Sequence, residues 1–263
     1  MNENAAQVAA DAIAEKKKKA AKRKLNQSPI NITKDIVIHD KALKGKHLHV
    51  DYHKGEAEYV EVTNTGFLCV MKENAESRIA ASHLKPDADY RLWQFHMHWS
   101  DDPHKGSEHC IDGNYFAAEI HCVFWNKNLG TLNDAMHHCD GYTVLALFVD
   151  ESEEDNPILA PIIKAVETAI ENEDKKAKID EDFDLSKLLP EKHSYYTYDG
   201  SLTTSPFAEC VTWTILHRRV KMSNQQLNVL RQIIKHNSRI LQDPHDRKVH
   251  SSFHLVQKPK RLN

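Results

Sequence analysis

The stretch from Gln94 to Trp125 limits the fold more than any other part of the chain. Within it, Gln94-Phe95-His96-Met97-His98-Trp99 and Ala118-Glu119-Ile120-His121-Cys122-Val123-Phe124-Trp125 alternate polar and apolar residues with period two. Such alternation specifies β-strands, because successive side chains of a strand project to opposite faces. His96 and His98 therefore share one face of the first strand, with Gln94 beside them. Glu119 and His121 share one face of the second, so pairing the two strands brings three imidazoles onto one sheet face with no loop involved. An HxH pair alone is a weak signal in a chain with 18 histidines among 263 residues. The neighbours strengthen it, since Gln94 and Glu119 can each orient a liganding imidazole through its second nitrogen. Three neutral imidazoles with one open position form the arrangement of a catalytic zinc, whereas a structural zinc usually has all four positions closed by protein ligands. His47 and His49 form another HxH, but with no such partner and no third histidine in pattern they read as an exposed strand face.

Between the two strands lies Gly106-Ser107-Glu108-His109, where a buried carboxylate would need a hydrogen-bond partner. Further on stands Gly200-Ser201-Leu202-Thr203-Thr204-Ser205-Pro206. In order and spacing these four segments closely resemble the α-class carbonic anhydrases, and the resemblance runs from Asn26 to Phe253. It implies a Zn2+ cofactor on His96, His98 and His121, with Gln94 and Glu119 behind them, and reversible hydration of CO2 to bicarbonate and a proton. It also implies that the Thr203 hydroxyl accepts a hydrogen bond from the zinc-bound water and donates its own to Glu108. A carboxylate can only accept, so that chain sets the direction of both bonds. Thr204 would line the same wall. Val123, Val144, Leu202, Val211 and Trp213 would form the apolar CO2 pocket, although each otherwise reads as plain core. Primary sulfonamides are the implied inhibitors. A cis Ser28–Pro29 bond is implied too, and Ser205 replaces the first of two usual prolines while leaving Pro206 for a cis Ser205–Pro206 bond.

Fast members of that family pass a proton to a histidine at the cavity mouth. The matching stretch is Asn64-Thr65-Gly66-Phe67-Leu68-Cys69-Val70, with Phe67 where the histidine would stand. Phenylalanine carries no proton, so the resemblance implies no shuttle at this position and a kcat limited by proton transfer. His83 and His104 are the other candidates for the rim. Silent relatives that have lost a zinc histidine serve as binding or scaffolding modules. This chain keeps all three together with Glu108 and Thr203, which favours an active enzyme. A zinc hydrolase of another kind is disfavoured because there is no HExxH helix.

A chain of this length with 40% hydrophobic residues can bury one substantial core. The pattern predicts a single mixed, β-dominated domain: a large, mostly antiparallel, twisted central sheet with short peripheral helices. The ten-stranded form of that sheet is what the resemblance implies. Strands are expected over His47–Val50, Tyr59–Val62 and Cys210–Leu216, and the apolar run Asp140–Asp150 reads as a central strand covered on both faces. Pro157 suits the first position of a helix whose Ile158, Leu159, Ile162, Ile163, Val166 and Ile170 bury one side. The charge-dense Glu171–Asp184 reads as a solvated loop, and Ser223 with Gln226 as a capping box.

Residues 1–25 form a basic arm, with Lys16–Lys19 and Lys22–Lys24, expected to be a disordered or partly helical tail. No aromatic residue interleaves its lysines, so no nucleic-acid partner is expected. The Trp/Tyr-rich segment usual in the family here is absent. The domain spans 26–253, and 254–263 is a basic tail. No apolar run is long enough to span a bilayer, and Met1–Lys24 lacks the apolar core of a signal peptide, so a cytoplasmic monomer is expected. Five cysteines, odd in number and without CxxC spacing, fit free thiols in that compartment.

Overall fold

A strand that carries metal-binding side chains on one face and apolar ones on the other needs a covering layer on each side. The computed structural model, which describes residues 25–43, 48–190 and 193–255, supplies both. Among these residues the strands, in chain order, are β1 Asn31–Ile32, β2 Val37–His39, β3 His49–Asp51, β4 Ala57–Thr63, β5 Gly66–Met71, β6 Arg78–Ala80 and β7 Tyr90–Trp99. There follow β8 Cys110–Ile111, β9 Ala118–Asn126, β10 Tyr142–Ser152, β11 Lys176–Lys178, β12 Tyr195–Gly200, β13 Val211–Ser223 and β14 Val249–Ser251. The α-helices are α1 Leu132–Ala135, α2 Ala160–Glu171 and α3 Asn224–Leu230.

Twelve strands make one sheet along the path β11-β4-β5-β7-β9-β10-β13-β12-β14-β2, with β6 joined to β7 and β3 to β6. The sheet thus has twelve strands rather than the ten that the resemblance implies, with β3 and β6 lying off the main path. Most pairings are antiparallel; β10 with β13 and β14 with β2 are parallel. Ser28–Pro29 and Ser205–Pro206 are both cis. His49 is exposed on β3 as expected, while His47, the basic arm 1–24 and the tail beyond 255 lie outside the described residues.

The core divides by sheet face. Phe95, Met97 and Trp99 of β7, Ile120, Cys122 and Phe124 of β9, and Leu145, Leu147 and Val149 of β10 pack into one layer. Val123, Tyr142, Val144, Ala146 and Phe148 pack into the other. The strand β10 is thus covered on both faces, as its unbroken apolar run requires. Burying each such side chain contributes roughly 1.5–3 kcal/mol, which fixes the register against a one-residue slip.

Two expectations for the helical side need correction. The helix α2 starts at Ala160 rather than Pro157, and Pro161 falls in its first turn. The Asn156 side chain accepts the Ile158 N–H at 3.0 Å and its carbonyl accepts the Ala160 N–H at 3.1 Å, so an Asx turn occupies the positions before the helix. The segment Glu171–Asp184 is not a solvated loop. Its Lys176–Lys178 forms β11 on the edge of β4, and Ile179 and Phe183 are buried. Backbone pairing is indifferent to side-chain charge, and the lysines of an edge strand can point to water. The Ser223 and Gln226 capping box forms in both directions at the start of α3, with bonds of 3.0 and 3.3 Å.

Phe183 is 2% exposed and stacks on Phe95 at 5.6 Å between ring centroids. Phe183→Ala should therefore cost about 3–5 kcal/mol of stability in urea denaturation. A loss below about 0.5 kcal/mol, typical of surface positions, would return this segment to the solvent.

Candidate metal centre

The register of β7 on β9 sets His96 opposite His121 and His98 opposite Glu119. Phe95, Met97 and Trp99 point into the core, so Gln94, His96 and His98 emerge on the other face. Ligand atoms of His96, His98 and His121 all lie within 4.8 Å of one another. Each imidazole has committed its second nitrogen. His96 Nδ1 meets Gln94 Oε1 at 2.9 Å, His98 Nδ1 meets the Asn237 carbonyl at 3.1 Å, and His121 Nε2 meets Glu119 Oε1 at 2.8 Å.

All three partners are acceptors, so these nitrogens carry the protons. Lone pairs are left on His96 Nε2, His98 Nε2 and His121 Nδ1. The first two stand 3.1 Å apart, a repulsive approach unless a cation draws on both. Two ligands of one tetrahedral zinc at roughly 2.0–2.1 Å would be about 3.3 Å apart, so the donor set fits that ion. Burial, reinforced by the neighbouring imidazoles, holds His96 well below the ordinary histidine range. Burial also lowers His98, against an opposing pull from Glu108. Both effects favour the neutral form that ligates metal.

Glu119 orients more than His121. Its Oε1 accepts from His121 and from His109 Nδ1 at 2.7 Å, while Oε2 accepts the amide N–H of Glu108 at 2.9 Å and of His109 at 2.8 Å. Burial alone would raise this carboxyl, but the two imidazoles and their hydrogen bonds outweigh it and hold it well below the usual carboxylate range. Glu108 is less satisfied. Its Oε1 accepts the Arg239 amide N–H at 2.8 Å, whereas Oε2 is buried with no partner among the described residues. The donor expected from Thr203 is not in place, although Thr203 is itself buried.

Residues 14–253 match a family model described as eukaryotic-type carbonic anhydrase. Carbonic anhydrase 1 of Oryctolagus cuniculus is 34% identical over 241 residues, covering 86% of this chain and 99% of that protein. Carbonic anhydrase 1 of Monodelphis domestica is 33% identical over 243 residues, covering 87% of this chain and 89% of that protein. The chain belongs to the eukaryotic-type carbonic anhydrases. It is an enzyme of that family, whose chemistry is the hydration of CO2. No helix among the described residues is long and apolar enough to cross a membrane.

The expected CO2-pocket residues of this carbonic anhydrase come together. Val123, Val144, Val211 and Trp213 are buried in one cluster and Leu202 packs against it. The Trp213 ring lies 4.9 Å from that of His121, so the cluster adjoins the metal ligands. Thr204 is exposed. Phe67 does not stand at the mouth of the site. It is 2% exposed on the opposite face of the sheet, stacked on Trp99 at 6.2 Å. The register sets Leu68 opposite His96 and Val70 opposite Gln94, so these two, not Phe67, share the metal face of β5. His83 is no rim residue either. It lies between the Tyr195 hydroxyl at 3.2 Å and Thr214 Oγ1 at 2.7 Å, and burial lowers it to about 4. His104 is exposed on a loop.

Three features escaped the sequence reading. Asn237 accepts from His98 across 139 residues of sequence, which no local pattern announces. Leu68 could have been found from the strand register. His109 follows Glu108 directly and could have been found by asking what neutralises two adjacent buried polar groups.

Glu119→Gln replaces an acceptor of four donors by a group that must present N–H to some of them. Zinc affinity, measured by competition with a chelator, should fall about 10–100-fold. Unchanged affinity would show that the carboxylate does not hold His121 for the metal.

Proposed function

We propose that this chain catalyses the zinc-dependent, reversible hydration of CO2 to bicarbonate and a proton. The observation that carries the reading is the convergence of three imidazole lone pairs beside an apolar cluster, with every other imidazole nitrogen committed to an acceptor. His96 Nε2, His98 Nε2 and His121 Nδ1 would hold the zinc and leave a fourth position open. When bound, zinc supplies the Lewis acidity that lowers the pKa of a bound water to about 7, a figure that comes from carbonic anhydrase itself.

The remaining work belongs to the protein. Glu108 Oε2 needs a donor, and the Thr203 hydroxyl is the group assigned to it. A hydroxyl that gives its proton to Glu108 has only lone pairs left, so it accepts a hydrogen bond from the attacking water and orients it. CO2 is uncharged and offers weak acceptors, which suits the wall of Val123, Val144, Leu202, Val211 and Trp213, while Thr204 faces the solvent side. A primary aromatic sulfonamide is the inhibitor class this site would accept.

The product proton has no imidazole waiting for it on β5. Phe67 faces the core, and His83 is half-buried against Tyr195 and Thr214, where burial lowers it to about 4. Proton transfer to buffer therefore limits kcat and leaves kcat/KM largely untouched. All five cysteines are free, which supports a cytoplasmic setting.

Zinc content and stopped-flow CO2 hydration, measured across imidazole buffer concentrations, test the reading. The protein should hold one zinc, and kcat should rise with buffer and saturate. His121→Ala should lose metal and activity together, while Phe67→His, placed in the core, should not raise kcat. A zinc-loaded protein without activity would contradict the catalytic assignment, and a kcat indifferent to buffer would contradict the missing shuttle.

A further inference from the structure

Three supports around the metal centre meet at one small residue. Ser28 is fully buried. Its N–H donates to Ser201 Oγ at 2.9 Å, and its own Oγ accepts the Ser201 N–H at 3.1 Å. This reciprocal pair fixes both serines against each other two residues before Thr203. The Ser28 Oγ also stands 2.8 Å from the Tyr198 hydroxyl, which lies 2.6 Å from His109 Nε2. Because Glu119 accepts from His109 Nδ1, the other nitrogen of that ring is the acceptor. The proton order therefore runs from Ser28 to Tyr198 to His109 to Glu119. The third support meets the Ser28 carbonyl, which accepts from Arg239 Nη1 at 2.6 Å, while the Arg239 amide N–H holds Glu108.

The packing leaves little freedom at this point. A Cβ on Gly200 would lie 2.2 Å from Ser28 Oγ and 3.0 Å from Trp213 Cδ1, so glycine is what lets β12 end against the serine. The Ser201 carbonyl accepts from Trp213 Nε1 at 3.2 Å, and the Ser201 hydroxyl donates to the Leu202 carbonyl at 2.8 Å. Ser28 thereby hydrogen-bonds to the segment of Thr203, to the support of Glu108 and to the support of Glu119, and among the described residues to no metal ligand.

We propose that Ser28 is a positioning residue, which holds the Thr203 segment at a fixed distance from Glu108 and the histidines by bonding to all three supports at once. This rests on the catalytic reading above. Its action is on the alignment of Thr203 with the attacking water, where displacement of about 1 Å can cost on the order of 10²-fold in rate.

The test compares wild type, Ser28→Ala, Thr203→Ala and the double variant, all zinc-loaded. Zinc stoichiometry and stopped-flow CO2 hydration are read for each. Ser28→Ala should retain its zinc and lose about ten- to hundredfold in kcat/KM, with a smaller loss in the buffer-limited kcat. In the Thr203→Ala background, the same change should alter kcat/KM by less than about twofold, because residues that act through one another are not additive. A purely structural role would make the two losses add. Unchanged kcat/KM in Ser28→Ala, or full additivity, overturns the proposal while leaving the catalytic reading intact. An inactive zinc-loaded wild type overturns that reading and this proposal with it. Should Ser28→Ala fail to fold, Tyr198→Phe decides, since it keeps the ring stacked on Trp213 and removes only the hydroxyl between His109 and Ser28. The same loss and the same non-additivity with Thr203→Ala are expected of it, and their absence overturns the proposal.

Discussion

The Glu119 carboxylate lies under the sheet with no exposed surface and accepts four hydrogen bonds, two from imidazoles and two from backbone amides. Removing such an ion from water costs several kcal/mol, and only a full set of charge-assisted bonds offsets it. Each bond in turn constrains its donor. His121 must hold its proton on Nε2 and present Nδ1, His109 must accept through Nε2, and the loop that carries Glu108 must run against β9. The tautomers of His121 and His109 thus follow from one acceptor-only group rather than from the metal.

That loop can reach β9 only because residue 106 has no side chain. A Cβ on Gly106 would lie 1.8 Å from the Ala117 carbonyl, and the Gly106 and Ser107 amides both bond the Phe116 carbonyl at 2.9 and 3.0 Å. Strand register supplies the rest of the rigidity. The side chains of β7 and β9 alternate between a core layer and the metal face, so the ligands cannot shift without moving Phe95, Met97 and Ile120 out of the apolar layer. A centre built this way needs little adjustment on binding its ion.

Period-two alternation made β7, β9 and their three ligands legible, and the same logic found Gln94 and Glu119 as their partners. It failed where the deciding contact was distant or where direction mattered. Asn237 reaches His98 from 139 residues away. Phe67 occupies the matched position in the chain, but its side is set by the pairing of Leu68 with His96, and that puts its ring against Trp99. The segment Glu171–Asp184 looked solvated because charge dominates it, while its two large apolar residues, Ile179 and Phe183, carry the burial. Position in a motif identifies a residue; only register and packing say what it faces.

The central claim is that accepting oxygens on Gln94, Asn237 and Glu119 fix which nitrogen of each histidine faces the metal. Crystals of the zinc-loaded protein, measured on both sides of the zinc absorption edge, test it most directly. The account predicts one anomalous peak bonded to His96 Nε2, His98 Nε2 and His121 Nδ1, with Glu119 still on His121 Nε2. A peak bonded to His121 through Nε2, or one seated among His109, Glu119 and His121, would contradict it.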